Sequence, residues 1–202
     1  MNEAPGAEGG RGHIEVITGG MFSGKSEELL RRLRRAVIAR QKVQVFKPRL
    51  DERHDPERLV TRDQREVAAK AVADSAELRR SLEAGVDVVG IDEAQFFDKD
   101  LPAACTQLAG SGKRVVVAGL DTDYLGRPFE PMPVMMAIAE YVTKTHAICM
   151  VCGNPASQTQ RLVASDERLL IGATGTYEAR CRKCFDPALA SAPAGAKVES
   201  KK

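Results

Sequence analysis

The sequence predicts an α/β fold, a mainly parallel sheet flanked by helices, followed by a small separate module. Two observations carry this. Over residues 12 to 145 short apolar runs alternate with longer amphipathic segments, and strands buried on both faces read as continuous apolar runs. Near Thr145 the pattern breaks into glycine, polar and short apolar pieces enclosed by two cysteine pairs. A length of 202 residues suits one ordinary domain, or one domain with a small appendage, enough to bury a real core.

Taken in order, HIEVIT (13 to 18) is the first buried strand. A glycine-rich turn follows, and then 26 to 40, which places Leu29, Leu30, Leu33, Val37 and Ile38 on one helical face. KVQVF (42 to 46) is the second strand, 73 to 83 a weaker helix, VDVVGID (86 to 92) the third strand, 101 to 110 another helix and RVVVAGL (114 to 120) the fourth strand. Such alternation implies helices on both faces of the sheet. The expected division is a flexible 1–11, an α/β domain 12–145, a small module 146–186 and a tail 187–202 without large apolar residues beyond one leucine, expected to be disordered.

Thirty basic residues against 28 acidic give a formal charge of +2, far from the balance of a dedicated nucleic-acid binder. The N-terminal stretch has no apolar core and reads as neither signal nor transit peptide, and the longest apolar runs are too short to span a bilayer. The expectation is a soluble cytoplasmic protein with no membrane partner.

Gly19, Gly24, Lys25 and Ser26 fit G-x-x-x-x-G-K-[ST], with a strand before and a helix after, as a phosphate-binding loop requires. Its glycines let successive N–H groups face a phosphate chain, and the helix N-terminus adds a favourable dipole. Lys25 would reach the outer phosphates and Ser26 would offer its hydroxyl to Mg²⁺. The second metal ligand is expected at a neighbouring strand end, where VDVVGIDEAQFF supplies Asp92, with Glu93 beside it as the candidate general base. The RRLRR cluster reads as a solvated helix face and is assigned no chemistry.

Four of the five cysteines form two pairs, Cys149 with Cys152 and Cys181 with Cys184, which together offer the four thiolates of a closed structural zinc site. Redox chemistry is the competing reading of such pairs, but no redox-type helix follows them. The 28 residues from 153 to 180 exceed the spacing of a compact ribbon, so the metal would clamp the base of a long loop. A clamped loop is cheaper to order over a small substrate, which suggests a lid. Within it Tyr177 is either an anchor of the loop or a ligand contact. Cys105 is expected in the core.

The ordered pieces GGMFSGKS, KPRLDERHD, IDEAQFF, GLDTDYLGRPFEPMP, AEYVTKTHAICMVCG and YEARCRKC resemble the type II, zinc-containing thymidine kinases over residues 12 to 185. The resemblance implies a P-loop (RecA-like) sheet with a zinc-containing lasso domain. It also implies transfer of the γ-phosphoryl of ATP to the 5′-hydroxyl of thymidine, in nucleotide salvage for DNA synthesis. On that basis Glu93 is the base and Lys25 steadies the transferring phosphate, while Ser26 and Asp92 hold Mg²⁺ and Asp51 and Arg53 act near the reacting phosphates. The phosphate-binding set comprises Gly19, Gly20, Met21, Phe22, Ser23, Gly24, Lys25 and Ser26, with Asp92, Glu93, Ala94 and Gln95.

The nucleoside contacts fall on Arg168, Leu169, Leu170, Ile171, Gly172 and Tyr177, with Tyr124 and Phe129 lining the pocket and Met21 at the thymine methyl. Thymidine triphosphate as feedback inhibitor and a homotetramer are implied too, and no nucleic-acid partner. Departures are Gly20 where proline is common, Glu27 where threonine is common, and Tyr124 in place of phenylalanine. The alternative is a P-loop ATPase with a nucleic-acid-binding zinc module. That reading calls for a basic module, whereas 153 to 180 carries Arg161, Arg168 and Arg180 against Asp166, Glu167 and Glu178. A non-catalytic nucleotide sensor would lack the base.

Overall fold

The computed structural model describes residues 12–49, 58–59, 67–163 and 175–190. The expectations for Asp51 and Arg53, for Arg168, Leu169, Leu170, Ile171 and Gly172, and for the ends of the chain lie outside them. In chain order the first domain comprises β1 (His13–Thr18), α1 (Lys25–Ile38), β2 (Val43–Pro48), β3 (Arg58–Leu59), β4 (Val67–Val72), α2 (Ser75–Arg80) and β5 (Val88–Ile91). It continues through α3 (Leu101–Gly110), β6 (Arg114–Gly119), α4 (Met132–Ile138) and β7 (Tyr141–Lys144). The strands lie in one sheet in the order β3-β4-β2-β5-β6-β1-β7. Every pairing in it is parallel except that of β3 with β4.

Helices cover both faces. Leu29, Leu33 and Ala36 of α1 pack on Ile17, Val45, Val88, Val116 and Ala118. The opposite face gathers Ile14, Val16, Val89, Ile91, Val115 and Val117 under Leu78, Leu101, Cys105, Leu108 and Met135. Fully apolar strands such as β5, whose four residues are all buried, are what such double coverage requires. Cys105 sits in this core, where burial pushes its thiol up to about 12.

The face of α1 differs from the sequence reading. Leu29, Leu30, Leu33 and Ala36 are buried, whereas Val37 is 59% and Ile38 81% exposed. At about 100° per residue Ile38 stands opposite Leu29, so the buried stripe runs through Ala36 instead. The position on the buried stripe goes to the small alanine and not to the larger apolar side chains beside it.

The second module comprises β8 (Ala147–Ile148), β9 (Pro155–Ala156), β10 (Gln158–Arg161), β11 (Tyr177–Arg180) and α5 (Pro187–Ala190). β8 pairs with β9 and β10 with β11, both antiparallel. Its small core is Ala147, Cys149, Ala156 and Ala179, with Cys181 and Cys184 against it. α5 begins where a disordered tail was expected. There the Asp186 carboxylate accepts from the Ala188 N–H at 2.9 Å, and Gln160 bonds the Asp186 backbone on both sides, which carries order into the tail.

Candidate active site

Three strand ends converge at one edge of the sheet. Thr18 of β1 is in register with Gly119 of β6, and Ile91 of β5 with Val117. The chains leaving β1, β5 and β6 therefore start side by side, and they carry the phosphate loop, Asp92 with Glu93, and Asp121 respectively. This is the carboxyl edge of an open parallel sheet, where α/β proteins bind ligands.

The loop is built against the second module and the end of β7. Gly19 has φ +144, and a Cβ there would meet the Thr145 carbonyl at 2.4 Å, so only glycine fits. The Thr145 hydroxyl lies 3.0 Å from Thr18 O and 2.9 Å from Ser23 Oγ, and its one proton serves either. The Met21 N–H donates to Thr159 Oγ1 of β10 at 3.0 Å, so the module braces the loop directly. Phe22 carries φ 65 and is 57% exposed. No side chain caps α1, which leaves its first N–H groups available to an anion.

Lys25 turns back and donates to Gly20 O at 2.8 Å. Desolvation lowers its pKa, against the raising influence of Glu93, Asp92, Asp121 and Glu27. Ser26 donates to Asp92 Oδ1 at 3.3 Å, and the Glu93 N–H donates to the same oxygen at 3.0 Å. Asp92 is 3% exposed, and burial first, then the Glu93 charge, push its pKa up to about 7. A hydroxyl beside a buried carboxylate short of cationic partners is an oxygen donor set suited to a hard divalent ion. Residues Ser26 and Asp92 fit Mg²⁺ on that ground.

Glu93 takes a left-handed backbone, φ 51 and ψ 40, and opens a 3-10 turn over Ala94–Phe96. Ala94 and Gln95 are buried. The Gln95 amide bonds Glu93 at 2.5 Å and the Leu120 N–H at 2.9 Å.

Asp121 was missed by the sequence reading. It is 4% exposed, its Oδ2 lies 2.7 Å from Lys144 Nζ, and neither oxygen receives a well-formed hydrogen bond among the described residues. The available signal was an aspartate just past an apolar strand, the same signature that picked out Asp92.

On the side expected to hold a nucleoside, the structure brings Tyr124 and Tyr177 together through an unanticipated residue. Arg161, fully buried, lays its guanidinium 3.7 Å from the Tyr124 ring centroid and donates to the Tyr177 hydroxyl at 3.0 Å. Phe129 meets Phe96 edge to face, with centroids 5.7 Å apart. Asp123 accepts from the Leu125 and Arg127 N–H groups at 2.9 Å each, fixing the turn that presents Tyr124.

Cys149, Cys152, Cys181 and Cys184 cluster with all four sulfurs within 4.8 Å of one another. A tetrahedron of Zn–S bonds near 2.3 Å sets sulfurs about 3.8 Å apart, so the donor set fits zinc. Burial opposes the Cys149 thiolate, but the N–H groups of Cys181, Cys152 and Val151 outweigh it and bring that thiol down to about 6. Backbone N–H groups aimed at sulfur are the outer support a metal-bound thiolate needs.

A phosphate-loop sequence and two adjacent carboxylates at one sheet edge, with a four-cysteine module bracing the loop, define a P-loop phosphotransferase architecture. The family model described as thymidine kinase matches residues 12–185. The chain is 59% identical over 179 residues to a thymidine kinase of Rhodothermus sp. (strain ITI 518), covering 89% of this chain and 84% of that protein. It is 51% identical over 177 residues to a thymidine kinase of Bdellovibrio bacteriovorus, covering 88% and 87%. It belongs to the thymidine kinase family. A solved structure, the ATPase DotB of Legionella pneumophila, is similar at a TM-score of 0.40 and 17% identity over 64% of this chain and 35% of that one. No helix among the described residues is long and apolar enough to cross a membrane.

Proposed function

We infer that the chain transfers the γ-phosphoryl of ATP to the 5′-hydroxyl of thymidine, giving dTMP and ADP. One observation carries the reading: in a chain whose residues 12–185 match the family, Lys25, Ser26, Asp92 and Glu93 meet at one sheet edge. On ATP binding, the Lys25 ammonium exchanges the Gly20 carbonyl for phosphate oxygens, which retain more negative charge than a carbonyl. The loop N–H groups and the start of α1 hold the triphosphate in line with the acceptor. Bound with ATP at Ser26 and Asp92, Mg²⁺ supplies charge neutralisation at the phosphate oxygens. Glu93 accepts the 5′-hydroxyl proton on a carboxylate oxygen as the O5′–Pγ bond forms and the β–γ bridge breaks to release ADP.

The segment between β10 and β11 acts as the lid over the nucleoside, with Tyr124, Phe129 and Tyr177 lining the pocket. The four cysteines hold a structural zinc at the far end of that hairpin. By family membership the same reading extends to thymidine triphosphate as feedback inhibitor, to a homotetramer, to work in the cytoplasm, and to the site roles of Asp51, Arg53 and the segment Arg168 to Gly172. The test is ATP turnover with Mg²⁺, run with thymidine, deoxycytidine, single-stranded DNA or no acceptor, with products separated. Thymidine-dependent dTMP is the expected result. Turnover that answers to DNA, with no nucleoside phosphorylated, would overturn the reading.

A further inference from the structure

We propose that Gln95 is the positioning residue of the proton-accepting carboxylate, its amide locking one oxygen of Glu93 against the end of β6. This rests on the reading of Glu93 as the base and deepens it. Gln95 is 2% exposed, and each end of its amide has a partner. Oε1 accepts from the Leu120 N–H at 2.9 Å, and Nε2 donates to Glu93 Oε2 at 2.5 Å. A backbone N–H can only donate, so it dictates which end of the amide faces it. The NH₂ end is thereby aimed at Glu93. Oε2 of Glu93 is committed, and Oε1 is left to take the proton.

Two further features are built around this bridge. At Gly119, which pairs with Thr18, a Cβ would stand 3.0 Å from Gln95 Oε1 and 2.7 Å from Met132 Sδ, so glycine there gives the amide room beside the strand end. Glu93 is also held in a left-handed conformation that a side chain rarely adopts. That conformation opens the turn Ala94–Phe96, with Phe96 N–H donating to Glu93 O at 3.0 Å, and the turn sets Gln95 back against the residue two before it. The bridge ties the base, just past the end of β5, to the end of β6, the strand between it and the phosphate loop. The resemblance placed Gln95 among the phosphate-binding residues. A buried amide engaged at both ends is instead positioned to work through Glu93.

The test is a double-mutant cycle in the full-length, zinc-loaded protein. Gln95→Met, Glu93→Gln and the pair are compared for kcat, for KM of thymidine, and for ATP affinity measured by titration without acceptor. Gln95→Met should lower kcat about 10- to 100-fold, the usual cost of losing a supporting hydrogen bond, with ATP affinity and thymidine KM within about twofold of the parent. In the Glu93→Gln background the same substitution should have no further effect, because the group it positions has gone. Gln95→Leu repeats the cycle should Gln95→Met fail to fold, since it fills much of the same volume and has no group that can donate to Glu93.

A full kcat loss that persists in the Glu93→Gln background, an unchanged kcat in Gln95→Met, or a loss of ATP affinity would each overturn the proposal while leaving the base in place. A near-normal kcat in Glu93→Gln alone would instead remove the base reading, and with it this one.

Discussion

Arg161 shows how one side chain can organise a pocket it does not line by itself. Its guanidinium lies against Tyr124 and bonds the Tyr177 hydroxyl, joining a turn of the first domain to the hairpin of the second. Arg161→Lys keeps the charge but loses the planar fork that stacks and donates at once. The expected outcome is a rise of about tenfold in thymidine KM, or about 1.4 kcal/mol, with ATP KM unchanged, read from initial rates with each substrate varied in turn. Nothing in the sequence marked this residue, because an arginine within QTQRL carries no motif and its burial is a product of the fold. Lys25, Ser26 and the four cysteines were legible from their spacing, and Asp92 from its place just past an apolar strand. The proposed base makes the matching prediction: Glu93→Gln should lower kcat by about 10²- to 10⁴-fold with ATP binding retained.

At the scale of elements, α2 is six residues long and depends on its ends. Asp74 sits at its N-cap in extended backbone and accepts from the Glu77 N–H at 2.6 Å. Asp74→Ala should cost about 1 kcal/mol, a fall of roughly 2–4 °C in Tm by differential scanning calorimetry. The second module depends instead on its thiolates, since its apolar core is only a few small residues. Cys184→Ser should release zinc and raise amide exchange in β8 to β11, while β1, β5 and β6 stay protected. Retained protection in a metal-free protein would show the hairpins standing without the clamp.

The long buried strands and α1 were legible from apolar runs, and β4, β7 and α4 were not. Half of VAAKAV is alanine, weak in strand preference, and the segment becomes β4 by pairing with β2. β7 is an exposed edge strand that acquires its identity from β1. Both are set by neighbours far away in sequence.

Across the whole molecule, Glu15 ties the sheet to its α1 layer. It is 5% exposed on β1 and is reached by Arg32 of α1 at 2.8 Å, by Arg114 of β6 at 2.6 Å and by His13 at 3.1 Å. Arg32 also donates to Thr143 of β7 at 2.9 Å, so one carboxylate holds three strands and a helix in register. Burial acts to raise its pKa, but Arg114, with His13 and Arg32, prevails and holds it below the ordinary 4.5. The folded state therefore binds this proton less readily than the unfolded chain. The contribution is fully present above pH 4.5 and is lost as pH falls through the folded value. Glu15→Gln leaves the partly buried Arg114 without its carboxylate and Arg32 with Glu28 alone, which should cost about 3 kcal/mol at pH 7. The Tm gap between parent and variant should narrow steadily below pH 4.5, because acid protonates in the parent the group the variant has already neutralised. Thermal melts from pH 7 down to pH 3, at fixed ionic strength, check this. A gap that stays constant into acid would mean that the loss comes from packing at Glu15 and not from its charge.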